Sequence, residues 1–369
     1  MLRTLSAEGL RGIEAVVRGH LERGWQTAAQ VAVYRDGVLC LDVRLRADGT
    51  GGVAPMPRDS RMVWFSATKP LTGACVLMLV ERGDISLDTR IAEVWPEFAQ
   101  GGKAACTVRH VLTHRGGFPV FPADFDWSRI DDWEAVTAAT ARIEAAWEPG
   151  TAIGYHPVTY GFALGEVIRR VDGRMPRDFM REELFAPLGM DASLGVGADG
   201  DTPTVVPVLA MSEATWDDPE GSERRTSWMV ERFNAARTLR GQLPAANGLG
   251  TAEALARFYA MLAGGGVLNG ARLLRAESVA AMTMVQASTE RDAVLGYPAA
   301  YGFGMVVGGY PPMDQPGTFG HTGQQSVVSW ADPARGLAAA YVTNGLHEPG
   351  VVALRNAEIG AAVLAACAE

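Results

Sequence analysis

The stretch WFSATKPLTGACVLMLVE, residues 64–81, places a serine and a lysine three residues apart at the beginning of a strongly apolar segment. The run from Lys69 to Glu81 is apolar on nearly all sides, which predicts a buried helix. Pro70 fits that helix only in its first turn, where the missing N–H costs no intrahelical hydrogen bond. The stretch therefore predicts that Ser66 and Lys69 share one face at the start of a buried helix.

Lysine is rare in this chain. Two of its 33 basic residues, Lys69 and Lys103, are lysines, and all the others are arginines. Burial lowers the pKa of a lysine amine toward neutrality, so a buried lysine can take the proton of a nearby serine hydroxyl. Arginine cannot do so, because it stays protonated in proteins. Ser66 and Lys69 are therefore predicted to be a nucleophile and its general base.

The segments on either side of this helix predict a sheet that is built from both ends of the chain. Upstream, residues 30–45 predict two strands joined by a turn at Asp36 and Gly37. Further strands are predicted from short extended runs: RMVWF (61–65), YGFGMVVGGY (301–310), QSVVSWADP (325–333) and LAAAYVTNG (337–345). The connections among the last three are short enough for antiparallel pairing. Helices are predicted at the N-terminus, at about 252–263 and at the C-terminus.

Residues 83–249 have a different pattern, in which short helical segments alternate with loops rich in Gly, Pro and Asp. The predicted fold class is therefore α+β, an antiparallel sheet flanked by helices with an inserted, mainly helical domain. The sheet domain is predicted to be discontinuous, residues 1–82 together with 250–369, and the inserted domain to be residues 83–249. Within the insertion, the polar segment 212–228 is predicted to be a surface loop rather than a mobile flap.

Composition and charge limit the expected partners. Hydrophobic residues make up 48% and charged residues 20%, which is typical of a folded soluble protein. A net charge of −9 would repel nucleic acid and anionic membranes, so we expect a small-molecule substrate and no nucleic-acid or membrane partner. The first 25 residues lack the apolar core of a signal peptide, and the longest apolar run considered, ACVLMLV, has seven residues. We therefore expect a cytoplasmic protein with reduced cysteines.

Other motifs carry less weight. No serine has the GxSxG surroundings of an α/β-hydrolase; Ser193 comes nearest, but Asp191 replaces the first glycine. The segment GVGADG (195–200) has dinucleotide-binding spacing without the required strand and helix, so a loop is predicted. His110 and His114 are four residues apart and could share a helix face, yet no further ligand lies at a suitable spacing. Neither a metal nor an organic cofactor is therefore predicted.

Two further segments bear on the serine and lysine. Tyr155 lies in a glycine-rich turn before a predicted helix, so its phenol can project from a loop into a site. Tyr160 is a rival for that role, but it lies within the predicted helix, where packing is favoured. FGHTGQQ (319–325) is a stretch of small residues just before a predicted strand, and backbone N–H groups on such an edge can point at an oxyanion.

In this order and with these gaps, SATK (66–69), Tyr155 and HTG (321–323) resemble the motifs of the serine β-lactamase and penicillin-binding-protein superfamily. The resemblance is closest to class C β-lactamases and family VIII carboxylesterases, and it covers about residues 25–350. It implies a β-lactamase/transpeptidase-like fold, with Ser66 as nucleophile and Lys69 as base. The oxyanion would be held by the backbone N–H groups of Ser66 and Gln324. The implied substrate-binding residues are Pro157, His321, Thr322, Gly323 and Gln325.

Two positions depart from the family pattern. Pro157 stands where the family has an asparagine that contacts the β-lactam amide, and His321 stands where a lysine can attract the β-lactam carboxylate. A histidine is largely uncharged at neutral pH unless a neighbour raises its pKa. Both departures favour an uncharged ester over a β-lactam.

The predicted function is hydrolysis of small carboxylic esters through an acyl-enzyme on Ser66, with Lys69 and Tyr155 relaying its proton. A β-lactamase, a D-amino-acid peptidase or amidase, and an acyltransferase would use the same acyl-enzyme and are the alternatives. A non-catalytic ligand-binding relative is a further alternative, which the joint presence of the three residues disfavours.

Overall fold

The computed structural model describes residues 4–197, 203–213, 215–217 and 223–367. Its α-helices are α1 Ala7–Glu22, α2 Lys69–Arg82, α3 Ile91–Val94, α4 Val108–Leu112, α5 Trp133–Arg142, α6 Thr159–Asp172, α7 Pro176–Met180, α8 Ala186–Leu188, α9 Thr226–Asn234, α10 Ala236–Arg240, α11 Ala252–Ala263, α12 Ala276–Thr283 and α13 Pro349–Cys367. Short 3₁₀ turns are Phe65–Thr68, Pro96–Ala99, Trp127–Arg129 and Pro333–Arg335, and a π-helical turn, Arg181–Phe185, joins α7 to α8.

The strands are β1 Ala28–Arg35, β2 Val38–Ala47, β3 Val53–Pro55, β4 Ser60–Val63, β5 Ala192–Leu194, β6 Thr204–Val205, β7 Leu209–Ala210, β8 Thr215–Asp217, β9 Glu223–Arg225, β10 Gly248–Gly250, β11 Val267–Leu268, β12 Ala271–Arg272, β13 Ala287–Thr289, β14 Ala299–Tyr301, β15 Val306–Val307, β16 Phe319–Gly323, β17 Val327–Asp332, β18 Leu337–Thr343 and β19 Gly345–Leu346. The main sheet in the described ranges has the order β13-β14-β15-β16-β17-β18-β1-β2-β3, and all its neighbours are antiparallel. The predicted antiparallel sheet flanked by helices is therefore confirmed.

Strand β1 shows how the two ends of the chain combine. It pairs with β2 on one side and with β18, about 300 residues later, on the other. Successive side chains alternate between the two faces, so Val31 and Val33 join one hydrophobic cluster and Ala32 and Tyr34 join the other. The predicted hairpin turn is confirmed between β1 and β2, where Asp36 and Gly37 both have positive φ.

Helices cover both faces of the sheet. Helix α11 packs on one face against β1, β17 and β18, while α1 and α13 pack together on the other. Within α13, Ile359 and Val363 are completely buried in the cluster that contains Trp330 of β17. These apolar side chains attach α13 to the sheet.

Helix α13 corrects the expectation that no apolar segment approaches the length of a membrane span. It is long and apolar enough to cross a membrane, by length and composition alone, and 39% of its most apolar window is buried inside the fold. The sequence did not predict a membrane-spanning length here, because Arg355, Asn356 and Glu358 interrupt the apolar run. In the fold, the Arg355 and Asn356 side chains are buried, and Glu358 forms an ion pair with Arg23, the residue that follows α1. The fold therefore accommodates all three polar residues.

Helix α2 agrees with its prediction. It begins at Lys69 with a proline in its first turn, follows directly on the 3₁₀ turn Phe65–Thr68, and buries every residue from Lys69 to Leu79. The strand predicted for residues 61–65 is shorter than expected. Strand β4 ends at Val63, because the chain turns at Trp64 to enter the 3₁₀ turn.

The strand predicted for residues 301–310 is also interrupted. Its residues form only the end of β14 and the short β15, with a bend between them. Gly304 in that bend has a φ of 72°, and a Cβ there would collide with the Tyr160 hydroxyl. The bend lets the backbone approach α6, which a regular strand would not allow.

Residues 83–249 contribute helices α3 to α10 and, in their described part, no strand of the main sheet. The hydrophobic cluster on the α2 side nevertheless runs across the proposed boundaries, since it includes Leu77, Phe162 and Leu255. The division into domains at residues 82 and 250 stays a prediction. The segments 195–200 and 212–228, predicted to be loops, lie partly outside the described residues. The described part of the second segment contains the paired strands β8 and β9 and the start of α9, so the loop prediction is wrong there.

Candidate active site

Three segments that are distant in the sequence meet at the start of α2. The 3₁₀ turn before α2 carries Ser66, the loop before α6 carries Tyr155, and β16 carries His321. A side chain at Gly323 would collide with the Trp64 carbonyl, so the end of β16 lies directly against the turn that holds Ser66. The fold thus brings together the serine, the lysine, the tyrosine and the HTG stretch that the sequence singled out.

The amine of Lys69 has three partners. Its Nζ lies 3.2 Å from Ser66 Oγ, 2.7 Å from the Pro157 carbonyl oxygen and 3.2 Å from the Ala245 carbonyl oxygen. A carbonyl can only accept a hydrogen bond, so two N–H bonds of the amine are directed at the two carbonyls. When the amine is neutral, its lone pair is left for the Ser66 hydroxyl. The contacts therefore orient Lys69 to accept the proton of Ser66.

Burial favours that neutral form. The Lys69 side chain is completely buried, and the loss of hydration holds its pKa well below the usual value of 10.5. No carboxylate in the described part of the chain forms an ion pair with it, so the charged form gains little in return. The environment of Lys69 is therefore that of a base rather than of a permanent cation.

The backbone in front of Ser66 is strained. Phe65 has a φ of 47°, which is a costly conformation for a bulky side chain, roughly 1–3 kcal/mol. Its ring packs against Phe233 of α9, with centroids 4.6 Å apart. Because Ser66 is in the first turn of a helix, its backbone N–H has no acceptor within that helix. This N–H is one of the two predicted oxyanion donors.

Tyr155 is held by its backbone rather than by its phenol. Its N–H lies 3.0 Å from each carboxylate oxygen of Asp292, which is completely buried. The same carboxylate accepts a hydrogen bond of 2.9 Å from the Tyr301 hydroxyl and bonds from the N–H groups of Val294 and Leu295. Asp292 is thus a buried hydrogen-bond acceptor that holds Tyr155 in position.

The phenol of Tyr155 faces the serine and the lysine. Lys69 Nζ lies 4.7 Å from the centre of the Tyr155 ring. Burial raises the pKa of Tyr155 above its usual value of 10, and a hydrogen bond with the Ser66 side chain opposes this only in part. The phenol is therefore neutral at pH 7 and can donate a proton. Tyr160, the rival, is fully buried in α6, and its hydroxyl donates to the Lys69 carbonyl oxygen at 3.3 Å.

Two buried histidines fix the rest of the Tyr155 loop. The His156 N–H donates to His114 Nδ1 at 3.0 Å, and the Gly154 N–H donates to the His114 carbonyl. The His156 ring donates through Nδ1 to the Gly154 carbonyl and accepts at Nε2 from the Phe118 N–H. Burial lowers the pKa of His156 to about 3, so this ring is neutral. Backbone and side-chain hydrogen bonds thus hold the loop on both sides of Tyr155.

The predicted oxyanion turn has its own anchor. After β16 the chain turns at Gln325, which has a φ of 56°, and the Gln325 carbonyl accepts a hydrogen bond from Arg355 of α13. Arg355 is completely buried, and its other acceptors are the Gln26 side chain and the Gly345 carbonyl. The turn that carries Gln324 is therefore fixed by an arginine in the last helix.

His321 is neutral in the structure. Its Nδ1 donates to the Thr322 carbonyl at 2.6 Å, and its Nε2 is buried without a hydrogen-bond partner among the described residues. Burial, with a smaller effect of the nearby Lys69 charge, lowers its pKa to about 3. The two rings of His321 and Tyr155 are 6.3 Å apart between centroids. The structure shows no hydrogen bond between them.

The remaining predicted substrate-binding residues lie in the same place but differ in role. The Thr322 hydroxyl is 3.2 Å from the Tyr310 hydroxyl, while Gly323 allows the close approach to Trp64. The contact that Pro157 makes with the site is its carbonyl bond to Lys69. The proline thus helps to place the base, a role that the sequence pattern did not suggest.

The described residues contain no cluster of three or more side chains that could hold a metal ion. His110 and His114 do not share a helix face, because α4 ends at Leu112 and His114 has a φ of 57°. His110 instead accepts a hydrogen bond from the Thr107 N–H at the start of α4. His110 therefore belongs to the cap of α4, and His114 holds the Tyr155 loop.

Comparisons with known proteins show the family to which this chain belongs. The model of the Beta-lactamase family matches residues 13–364. The chain belongs to the β-lactamase family. The esterase/β-lactamase LipL of Mycobacterium tuberculosis is 32% identical over 87% of this chain and 78% of its own length. A penicillin-binding protein homologue from Caulobacter crescentus is 30% identical, with a TM-score of 0.87 over 99% of this chain and 100% of its own. These relatives support a serine hydrolase.

One solved structure bears on the fold alone. A family VIII carboxylesterase has a TM-score of 0.83 to this chain at 24% identity, over 99% of this chain and 100% of its own. The β-lactamase fold of the chain is therefore shown by structure as well as by sequence.

Within this β-lactamase-family site, three positioning residues were not predicted from the sequence: Asp292, His114 and Arg355. Asp292 lies in a polar segment that reads as a surface loop, and Arg355 lies in a helix far from every motif. Their contacts depend on elements that only the fold brings together. His114 was noted, but as half of a metal pair.

The buried histidines predict a loss of stability in acid. A histidine in the unfolded chain has a pKa near 6.5, whereas the pKa of folded His321 is about 3. Below pH 6.5 the unfolded state therefore binds more protons, and the free energy of unfolding falls as the pH falls toward 3. Between pH 6 and 4, the free energy of unfolding of His321→Gln should fall by about 1.4 kcal/mol less per pH unit than that of the wild type. Urea denaturation at each pH measures this difference.

His347→Gln is the matched control, because this side chain is only partly buried. The free energy of unfolding of His347→Gln should change with pH nearly as that of the wild type does. Parallel curves for the wild type and His321→Gln would contradict a neutral, buried His321.

Proposed function

We propose that this protein is a carboxylesterase that hydrolyses small, uncharged esters through an acyl-enzyme on Ser66. The observation that carries the proposal is the environment of Lys69. Its amine is completely buried, two of its N–H bonds are taken by the carbonyls of Pro157 and Ala245, and its third partner is the Ser66 hydroxyl. Such an amine can act as the base that makes a serine nucleophilic.

In the first half of the reaction, Ser66 Oγ attacks the ester carbonyl carbon while its proton passes to Lys69. The carbonyl oxygen becomes an oxyanion, which the backbone N–H groups of Ser66 and Gln324 would stabilise. The bond between the carbonyl carbon and the alkoxide oxygen then breaks. The neutral phenol of Tyr155 donates a proton to the leaving alkoxide and regains one from Lys69, so the alcohol leaves with the proton that Ser66 lost.

In the second half, water attacks the acyl carbon. The water passes a proton through Tyr155 and Lys69 back to Ser66 Oγ as the acyl bond breaks, and the carboxylic acid is released. The raised pKa of Tyr155 and the lowered pKa of Lys69 support these roles. The lysine is the resting base, and the tyrosine carries the proton between the lysine and the substrate.

The charge around the site supports an uncharged substrate. A pKa of about 3 leaves His321 neutral at pH 7, so it offers no positive charge to a substrate carboxylate. Pro157 has no side-chain amide to bind a β-lactam amide. Both features favour an ester over a β-lactam. The cytoplasmic location expected from the sequence goes with this proposal.

β-Lactam hydrolysis is the second candidate, since the relative LipL is named as both an esterase and a β-lactamase. Peptidase, amidase and acyltransferase activities would use the same acyl-enzyme. These differ in the group that leaves or in the acceptor that replaces water, and the Ser66 to Lys69 geometry is common to all of them. A panel of substrates separates them.

The first prediction about the reaction concerns Ser66. The wild type should release 4-nitrophenol from 4-nitrophenyl butyrate, and Ser66→Ala should reduce kcat by a factor of about 10³ or more, because the nucleophile is lost. Intact mass after quenching should show a butyryl adduct on the wild type alone. Ser193→Ala is the matched control, since it removes the serine nearest to an α/β-hydrolase pattern, and it should retain activity.

Equal rates for the wild type and Ser66→Ala would refute the enzyme proposal. Nitrocefin, assayed beside the ester, distinguishes the second candidate. We expect weak or absent turnover, and a kcat/KM equal to that for the ester would assign the protein as a β-lactamase instead.

The second prediction concerns the base. Lys69→Arg should inactivate the enzyme almost as fully as Lys69→Ala, because arginine cannot give up its proton at working pH. The measurement is kcat with 4-nitrophenyl butyrate, together with thermal melting to show that each variant is folded. Substantial activity in folded Lys69→Arg would remove the general-base role.

The third prediction separates the two tyrosines. Tyr155→Phe should lower kcat by about 10²–10⁴, the usual contribution of a positioned proton donor. Tyr160→Phe is the matched control, because it also removes a hydroxyl beside Lys69, but one that donates to the Lys69 backbone rather than to the reacting atoms. It should change kcat far less. The opposite order would exchange the roles of the two residues.

A further inference from the structure

A groove lies behind the Tyr155 loop and takes no part in the proposed reaction. It has a volume of about 460 Å³ and is lined by residues 150–153, by residues 286–289 with Arg291 and Ala293, and by Arg115. Its lining includes none of the reacting residues. A cavity of this size is comparable with the sites that hold small organic ligands.

The charge of the groove is unusual for this protein. The chain has a net charge of −9, yet two arginines, Arg115 and Arg291, line the groove and no carboxylate does. Neither arginine forms an ion pair with a carboxylate in the described part of the chain. Arg115 donates to the Gly150 carbonyl, whereas the Arg291 side chain is exposed. Two arginines that line one groove and have no ion-pair partner among the described residues provide an attractive site for an anion.

The other lining residues indicate what kind of anion fits. Ile153, Ala152 and Ala287 give the groove an apolar wall, and Ser288 adds a hydroxyl. An inorganic ion would leave this wall and most of the volume unused. The planar fork of an arginine matches the two oxygens of a carboxylate. An organic acid with a short apolar body and a carboxylate end satisfies both parts of the lining.

We propose that this groove binds the carboxylate of a small organic acid, at a site separate from the pocket of Ser66. The groove shares its wall with the segment that holds Tyr155. The Ala293 N–H donates to the Ile153 carbonyl at 2.9 Å across the groove, and Asp292, next to Ala293, binds the Tyr155 N–H. A bound acid therefore spans the two segments whose hydrogen bonds place the tyrosine.

Isothermal titration calorimetry with succinate tests the proposal, and succinamide serves as the uncharged probe of the same shape. Succinate should bind the wild type and succinamide should bind at least tenfold more weakly, because each charge-assisted bond to an arginine is lost, at about tenfold or more per bond. Arg291→Gln should weaken succinate binding by about tenfold. This variant should fold normally, because the Arg291 side chain is exposed and has no carboxylate partner in the described ranges.

Two comparisons locate the site. Arg46→Gln removes an exposed arginine from β2 and changes the net charge equally, so it should leave succinate binding unchanged. Treatment with diethyl 4-nitrophenyl phosphate should phosphorylate Ser66, with intact mass as the check, and should also leave succinate binding unchanged. If no phosphoryl adduct forms, the proposed esterase function fails, while the calorimetric comparison of the arginine variants still decides the groove proposal.

Three results would overturn the proposal. These are equal binding of succinate and succinamide, wild-type affinity in Arg291→Gln, and loss of succinate binding when Ser66 is phosphorylated. The last would show that the acid binds in the catalytic pocket instead.

Discussion

The site depends on one buried amine. Lys69 Nζ joins the start of α2 to two loops that lie about 90 and 175 residues further along the chain, through the carbonyls of Pro157 and Ala245. A lysine buried without partners would cost several kcal/mol, so these carbonyls are needed for the lysine to be there at all. The two carbonyls also determine the direction of the amine's lone pair, which is left for the Ser66 hydroxyl. The contacts that make the buried lysine tolerable are therefore those that leave the lone pair of its neutral amine for Ser66.

Around this amine, two buried polar side chains hold the backbone in place. The Asp292 carboxylate binds the N–H of Tyr155, and the Arg355 guanidinium binds the carbonyl of Gln325. Each side chain is satisfied mainly by backbone or neutral partners, which suits a buried polar group whose role is to fix a loop. The tyrosine and the oxyanion turn are thus held from two sides, by residues that do not touch the reacting atoms.

The second lysine refines the argument from lysine usage. Lys103 is also completely buried, and its Nζ donates to the carbonyls of Gln100, Ala141 and Ile143. Burial lowers its pKa to about 8. All three of its partners are acceptors, so a charged amine suits this position and no hydroxyl is available to it. Rarity and burial are thus shared by both lysines, and the serine three residues earlier is what distinguishes Lys69.

The elements with strong local signals were predicted well from the sequence. Helix α2, the hairpin at Asp36 and Gly37, and helix α11 lie where their patterns placed them. The predictions were less accurate where a close approach between distant segments overrides local preference. Gly304 interrupts a predicted strand because the backbone must pass the Tyr160 hydroxyl, and the turn at Trp64 shortens another. Local patterns carry no record of such contacts.

The same distinction between local signals and contacts of distant segments applies to the candidate site. The sequence by itself determined the pair of Ser66 and Lys69, because their spacing on one helix turn is a local property. It also indicated Tyr155 and the HTG stretch, through motifs whose order is informative. Only the tertiary structure decided that Lys69 has two carbonyl partners, that His321 is neutral and that Asp292 holds Tyr155. The physical reason is that hydrogen-bond direction and burial are set by neighbours that lie far away in the chain.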